Sequence, residues 1–303
     1  VADPVAPILA RVAEHGRDAV SFQALESVMR HWHDAPPPEG TAAVVAYVDT
    51  GTAWVAAGSP LAAAPDLAVA AARFVASARA AGRRAAFFAT EVPHLLGEVD
   101  AVFLGEQPVF EPGDWPRSLA ASRRLREQLR RARAKGVRVR AVTADELAPG
   151  APLRRAVEEL AAEWLRSRRM EPMGFLVALE PFHAASEHRY VVAERDGELV
   201  AFLSAVPIYA RRGWLVEDTV RSSRAPNGTS EALLDCFMRM VADSEVVTLG
   251  LAPLSGAIAT WQHVARFVSR PLYDFRGVRA FKERLRPSRW EPVWLALPRG
   301  ELK

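Results

Sequence analysis

The amino-acid sequence predicts a mixed α/β protein made of two like units that a basic helix joins. Three observations carry that expectation. The chain has 303 residues, half of them apolar and a quarter charged, which exceeds the usual size of one domain. Residues 42–90 run through hairpin strands, a glycine-bearing loop, a helix and a buried strand, and residues 189–251 repeat that order. Between the two lies a stretch rich in arginine, with Glu127 the one acid from Arg117 to Lys135. The expected division is 1–115, 116–136 and 137–303.

The elements follow in chain order. Pro4 to Glu14 and Phe22 to Trp32 read as short helices, and Pro36-Pro37-Pro38-Glu39-Gly40 breaks the chain after them. Ala42 to Val48 and Ala53 to Ala57 read as a hairpin across Asp49-Thr50-Gly51, where aspartate and glycine suit a tight turn. Gly58-Ser59-Pro60 leads to a helix near Asp66 to Ala80, with Asp66 as its cap and Gly82 past its end. Ala85 to Ala89 reads as a buried strand, and Ala101 to Leu104 and Pro108 to Phe110 as two more. In the basic helix, Leu125, Leu129 and Ala132 share one face. Arg123, Arg126, Arg130 and Arg133 share another, with Arg124 and Arg131 beside them. Asp114 or Ser118 is its expected N-cap and Gly136 its terminator.

The second unit opens with a strand, Val137 to Val142, and an amphipathic helix, Leu153 to Arg168. Tyr190 to Glu194 and Leu199 to Pro207 form a hairpin across Arg195-Asp196-Gly197, and Trp214 to Val220 is a third strand. A loop, Arg221 to Gly228, leads to a helix from Thr229 to about Ala242. Val246 to Leu251 is the next strand, Trp261 to Val268 is helical, and Leu272 to Phe275 and Val293 to Leu297 close the fold.

Composition excludes several classes. Lys plus Arg is 39 against 36 acids, a net charge of +3, too balanced and too apolar for a disordered chain. No apolar run reaches the roughly 20 residues of a membrane span. Val1 to Pro7 carries Asp3 and lacks the basic lead-in of a signal peptide. A single cysteine, Cys236, excludes an internal disulfide and a cysteine metal cluster. His183 and His188 are not joined by a second cluster, so no metal site is expected. Neither a Walker-type loop nor a dinucleotide fingerprint is present, and no nucleophile elbow.

Three segments concentrate chemistry. Glu217-Asp218-Thr219-Val220-Arg221 ends a strand, and Ala225-Pro226-Asn227-Gly228-Thr229 turns into a helix whose first N–H groups favour an anion or a developing oxyanion. An ordinary strand–turn–helix connection explains the same residues equally well. Leu249-Gly250-Leu251-Ala252-Pro253-Leu254-Ser255-Gly256 carries a buried strand into a loop, the place where α/β sheets collect ligands. Tyr273-Asp274-Phe275-Arg276-Gly277 through Lys282 interleaves aromatics with cations, as phosphate- and nucleic-acid-facing surfaces do. For these last two, a plain strand end and a solvated surface are the bland alternatives.

Together these words resemble the C-terminal catalytic region of the phosphatidylglycerol lysyltransferases, the aminoacyl-phosphatidylglycerol synthases. Trp290-Glu291-Pro292 and Pro287 extend the likeness to about residue 297, and Leu104-Gly105-Glu106 ahead of the basic helix extends it more weakly to the front. The resemblance implies two tandem GNAT-like acyltransferase domains, the C-terminal one catalytic, without the membrane domain that many members carry. It implies transfer of an aminoacyl group from aminoacyl-tRNA, as co-substrate with no bound cofactor, to a lipid hydroxyl, in the cytoplasm or at the inner face of the membrane. Asp218, with Glu217, is then the candidate for deprotonating the acceptor or holding the donor's ammonium, and Arg221 for pairing with Asp218 or binding phosphate. Asn227 and Gly228 become a cradle for phosphate or oxyanion, with Ser255 and Tyr273 beside it. Arg276 and Lys282 become contacts to tRNA or lipid phosphate, and Arg123, Arg126, Arg130 and Arg133 a surface for tRNA or anionic phospholipid.

The chain departs from the family at three places. Ser269-Arg270 stands where the family has Gly-Glu, Val293 where it has arginine, and Ser59 where it has aspartate. The first bears on which aminoacyl side chain is accepted, or on the acceptor itself. Two other functions fit the same residues: acyl-CoA-dependent N-acyl transfer, with Arg221 to Gly228 holding a pyrophosphate, and a non-catalytic tRNA-binding module.

Overall fold

A computed structural model describes residues 5–166, 181–253 and 275–301. The first unit holds α1 (Ala6–His15), a 3-10 segment (Ala19–Leu25), β1 (Arg30–His33), β2 (Val44–Asp49), β3 (Ala53–Ala57), α2 (Leu67–Ala80), β4 (Arg84–Thr90) and β5 (Val99–Phe110). Then come α3 (Trp115–Ala121), α4 (Arg123–Ala134), β6 (Arg138–Val142), α5 (Pro152–Arg166), β7 (Arg189–Arg195), β8 (Glu198–Ile208) and β9 (Gly213–Arg221). The chain continues through α6 (Thr229–Met240), β10 (Val246–Thr248), β11 (Ala252–Pro253), α7 (Phe275–Arg284) and β12 (Arg289–Pro298).

The strands form one sheet in the order β1-β2-β3-β4-β12-β5-β10-β9-β8-β7-β6, with β11 attached to β5. Two neighbouring pairs are parallel, β3 with β4 and β9 with β10. Each needs a crossover, and α2 and α6 supply them. The like order at 42–90 and 189–251 is therefore a like topology. The two units share strands at the centre. β5 of the first pairs with β10 of the second, and β12, last in the chain, lies between β4 and β5. Pairing thus crosses the boundary expected at residue 137.

The cores explain the layers. α2 covers Val45, Tyr47, Ala56 and Phe87 of the first unit. Trp115, Leu125, Leu233 and Phe237 of α3, α4 and α6 cover Leu203, Ala205 and Val216 of the second. On the opposite face of the second unit, Val157 and Leu160 of α5 meet Val192, Phe202 and Val220. α1 and the 3-10 segment span both units, packing on Val44 and Ala57 and also on Val206, Ile208 and Leu215.

Several elements differ from expectation. Phe22 to Trp32 is not a helix: after the 3-10 segment the chain extends into β1, where Trp32 packs edge-on against Phe74 of α2 and its indole N–H donates to Ser77 Oγ. Tertiary contacts override the local pattern there. Residues 99–110 form one strand, because a bulge at the β12 register absorbs Leu104 beside Gly105. The basic helix is two helices, since Ser122 leaves helical geometry and its Oγ caps α4 at Leu125 N–H. Asp66 precedes α2 without a side-chain cap, whereas Gly82 and Gly136 end α2 and α4 at positive φ as the sequence requires. The helix expected at Trp261 to Val268 lies outside the described residues, as does most of Leu272 to Phe275; Phe275 itself begins α7.

Candidate functional site

The site forms where the second unit's parallel pair comes apart. β9 and β10 pair only over Gly213–Leu215 and Val246–Thr248. Beyond that, β9 continues to Arg221 beside β8, while the other chain turns at Gly250, φ +68°, and joins β5 as β11. The divergence leaves the carbonyls of Leu249, Gly250 and Leu251 without a ladder partner. Lys282 of α7 replaces the missing strand: its Nζ donates to these three oxygens at 2.8, 2.8 and 2.9 Å. Three acceptors use all three ammonium protons. The side chain is buried, and loss of hydration pulls its pKa down to about 7. Lys282 is thus a staple for the opened loop, and it also lines the cavity that opens there.

β9 also carries a bulge. Ser204 pairs with Asp218 and Ala205 with Val216, so Glu217 is the extra residue. The bulge reverses the facing of the strand. Val216 packs with α6, whereas Val220, four residues on, packs with α5. Asp218 is turned to the α5 face, where Ser204 Oγ donates to its Oδ2 at 2.9 Å. Asp218 is 7% exposed, and burial, with Glu217 beside it, pushes its pKa up to about 7. A carboxylate poised near neutrality is suited to accept and return a proton. Behind Glu217, His188 Nε2 lies 3.9 Å from Glu217 Oε2, with its ring stacked on Tyr190.

The splay opens into a cavity of about 1330 Å³ that reaches both faces of the sheet. On the α4–α6 face it is lined by Arg124, Leu125, Gln128, Asn227, Ser230 and Glu231. On the other it is lined by Val20, Gln23, Glu26, Glu163, Trp164 and Asp218. Arg221 also lines it, exposed. Arg221 does not pair with Asp218, because residues three apart on a strand point to opposite faces. Asn227 is exposed at the rim, and Gly228, φ +94°, takes the left-handed conformation the sequence predicts. Gly228 lines the cavity and also packs on α4: a Cβ there would lie 2.1 Å from the Gln128 carbonyl oxygen. The glycine lets the basic helix close onto the start of α6. The first-turn N–H groups of Ser230 and Glu231 precede the first intrahelical bond, Ala232 N–H to Gly228 O, and belong to residues that line the cavity.

The basic helix is less free than its charge suggests. Arg130 and Arg131 both hold Glu127, Arg126 donates to the carbonyls of Leu119 and Ala120, and Arg133 lies 3.9 Å from Asp235. Arg123 is exposed, and Arg124 is the arginine of this helix that reaches the cavity. The Trp290-Glu291-Pro292 word is architectural: the Arg279 guanidinium lies 3.4 Å from the Trp290 ring centroid, and Glu291 accepts from Arg211 and Arg289. Ser255, Tyr273 and the side chain of Arg276 lie outside the described residues. Sequence reasoning missed Ser204, Gln128, Glu163 and Trp164. Only Ser204 carried a signal, as the one hydroxyl in the apolar run Leu199 to Ile208.

Fold and site together define a mixed α/β protein of two like units, with a buried carboxylate at the wall of an open cavity. The family model for "Phosphatidylglycerol lysyltransferase, C-terminal" matches residues 9–297, and the chain belongs to that family. A phosphatidylglycerol lysyltransferase of Bacillus subtilis (strain 168) is 32% identical over 156 residues, 46% of this chain and 17% of that protein. The match thus spans under a fifth of that relative's length. Among solved structures, L-PGS from Bacillus licheniformis superposes with a TM-score of 0.80 at 21% identity, covering 98% of this chain and 92% of that one. The C-terminal domain of a putative lysylphosphatidylglycerol synthetase from Agrobacterium fabrum gives 0.78 at 23%, covering 97% and 93%. At those identities the structural likeness establishes the fold. No helix among the described residues is long and apolar enough to cross a membrane.

Proposed function

We propose that this chain transfers an aminoacyl group from aminoacyl-tRNA to a hydroxyl of a phosphatidylglycerol-type lipid, with Asp218 as the proton acceptor. The observation that carries the reading is the placement of Asp218, buried and held by Ser204 on a bulge, at the wall of a cavity open to both faces of the sheet. Family membership supports the same chemistry.

In the step proposed, the acceptor hydroxyl gives its proton to Asp218 while its oxygen attacks the ester carbonyl carbon. Negative charge gathers on the carbonyl oxygen, where first-turn N–H groups of Ser230 and Glu231, or N–H groups of the β9 edge without a ladder partner among the described residues, receive it. Collapse breaks the bond to the ribose oxygen, which takes the proton back from Asp218. Arg124 and Arg221 supply positive charge at the cavity for phosphate. Arg123, with the partly engaged Arg126, Arg130 and Arg133, extends that surface outward along α4 toward tRNA or anionic lipid. Glu217, Glu163 and Glu26 line the same cavity and suit a cationic aminoacyl donor. The place of work proposed is the cytoplasmic membrane surface, where the arginines of α4 would meet anionic lipid.

The test is transfer of label from a set of aminoacyl-tRNAs into the lipid extract of phosphatidylglycerol vesicles. Label in the lipid fraction is the expected result; no transfer from any aminoacyl-tRNA contradicts the proposal.

A further inference from the structure

We infer that Asp18, Glu91 and Arg211 are positioning residues, which hold the first unit's 3-10 segment Ala19–Leu25 as a wall of the second unit's cavity. The kinetic arm of this inference rests on the transferase reading above; the structural arm does not.

The segment reaches the cavity through Val20 and Gln23, and Glu26 follows directly behind it. Its start is fixed by buried carboxylates. Asp18 is fully buried and accepts the N–H of Ser59 at 2.6 Å and of Glu91 at 3.0 Å. Glu91 Oε1 accepts the N–H of Ala19, the first residue of the segment, at 2.6 Å. Its other oxygen accepts from Arg211 at 2.7 Å, and the second guanidinium nitrogen of Arg211 donates to Glu291 at 2.7 Å. Arg211 closes the turn Tyr209–Arg211 that precedes β9, the strand carrying Asp218. Midway along the segment, Phe22 packs edge-on against His188, the imidazole behind Glu217.

Four ionisable groups therefore tie together the loop after β3, the end of β4, the turn into β9 and strand β12. Burying carboxylates and a guanidinium costs free energy that apolar residues would not incur. What the arrangement provides in return is geometry, because each bond is directional and each ends on a segment that shapes the cavity. The groups touch no space that a substrate would fill, so they act through the wall.

The experiment compares wild type, Glu91→Gln, Arg211→Met and Arg211→Lys in the full chain by amide hydrogen exchange and by steady-state transfer. Glu91→Gln and Arg211→Met should speed exchange over 19–26 by about tenfold while α2 keeps its protection. They should also raise KM about fivefold, with kcat within about twofold, and Arg211→Lys should recover part of both. Unchanged exchange at 19–26 overturns the inference. So does a uniform rise across the chain with kcat falling in step with the folded fraction, which marks a purely structural role. If wild type transfers nothing, the function proposed above fails; affinity for an aminoacyl-adenosine amide, measured by calorimetry, then decides this inference. A loss of about fivefold in both variants sustains it, and equal affinity in all four proteins overturns it.

Discussion

The two units share one topology but end their parallel strands differently. In the first, β3 and β4 pair over Ala53–Ala57 and Arg84–Phe88, and Gly58 N–H donating to Phe88 O at 2.7 Å extends the contact. The end of that pair is filled from within, because Asp18 takes the N–H groups of Ser59 and Glu91. In the second, β9 and β10 part after three residue pairs, Lys282 satisfies the freed carbonyls, and a cavity remains. A buried carboxylate stands at each place. Asp18 is spent on backbone N–H groups, whereas Asp218 accepts from the Ser204 hydroxyl and lines the cavity. The difference between a closed and an open unit lies in a few hydrogen bonds at one strand end.

The largest test of that contrast exchanges the two carboxylates for amides. Asp218→Asn should cut transfer by about two to four orders of magnitude, the range for a lost general base. Asp18→Asn should leave kcat within a few-fold, since its carboxylate touches no reacting atom. A sign follows from the pKa shift. Burial raises the folded-state pKa of Asp218 to about 7, so its ionised form opposes folding as pH rises from the ordinary carboxylate range through 7. Asp218→Asn should therefore melt no lower than wild type at pH 8 in calorimetry, while losing its activity. Equal kinetic losses in both variants would erase the distinction between the units.

Gly228→Ala comes next. A Cβ would press on the α4 backbone and hold φ +94°, so a loss on the order of 3 kcal/mol in denaturant unfolding is expected. Gly51, also at positive φ but with open space around it, should lose only about 1 kcal/mol on the same change. Lys282→Met should cost about 1–3 kcal/mol by taking the donor from three part-buried carbonyls. It should also speed hydrogen exchange around 249–251. The smallest effect is electrostatic. Arg124→Ala should lower the slope of log affinity for tRNA against log salt by about one, whereas Arg130→Ala, already paired with Glu127, should change it less. Equal slopes would demote Arg124 from the cavity's phosphate contact.

Much of this was legible beforehand because it rests on local chemistry. The hairpin at Asp49-Thr50-Gly51 forms as read, with Gly51 N–H donating to Asp49 Oδ1 at 2.8 Å. Glu217, Asp218 and Arg221 do meet at one cavity. The rest depends on contacts distant in sequence. Nothing near Lys282 announces that Leu249 to Leu251 will need its protons, and nothing near Gly228 announces the backbone of Gln128. The bulge at Glu217 is invisible in a run that alternates plausibly without it, yet it decides which face Asp218 meets. Arg221 is no partner for Asp218 on a simpler ground, since the two stand three residues apart on regular strand and point to opposite faces.

The central claim is that Asp218, at the open strand end, takes the acceptor's proton. The pH dependence of kcat/KM for transfer from aminoacyl-tRNA tests it most directly. A base must be ionised to act, so the wild-type profile should rise with unit slope and level off above about pH 7, and the residual activity of Asp218→Asn should lack that inflection. A flat wild-type profile, or the same inflection in Asp218→Asn, would contradict the account.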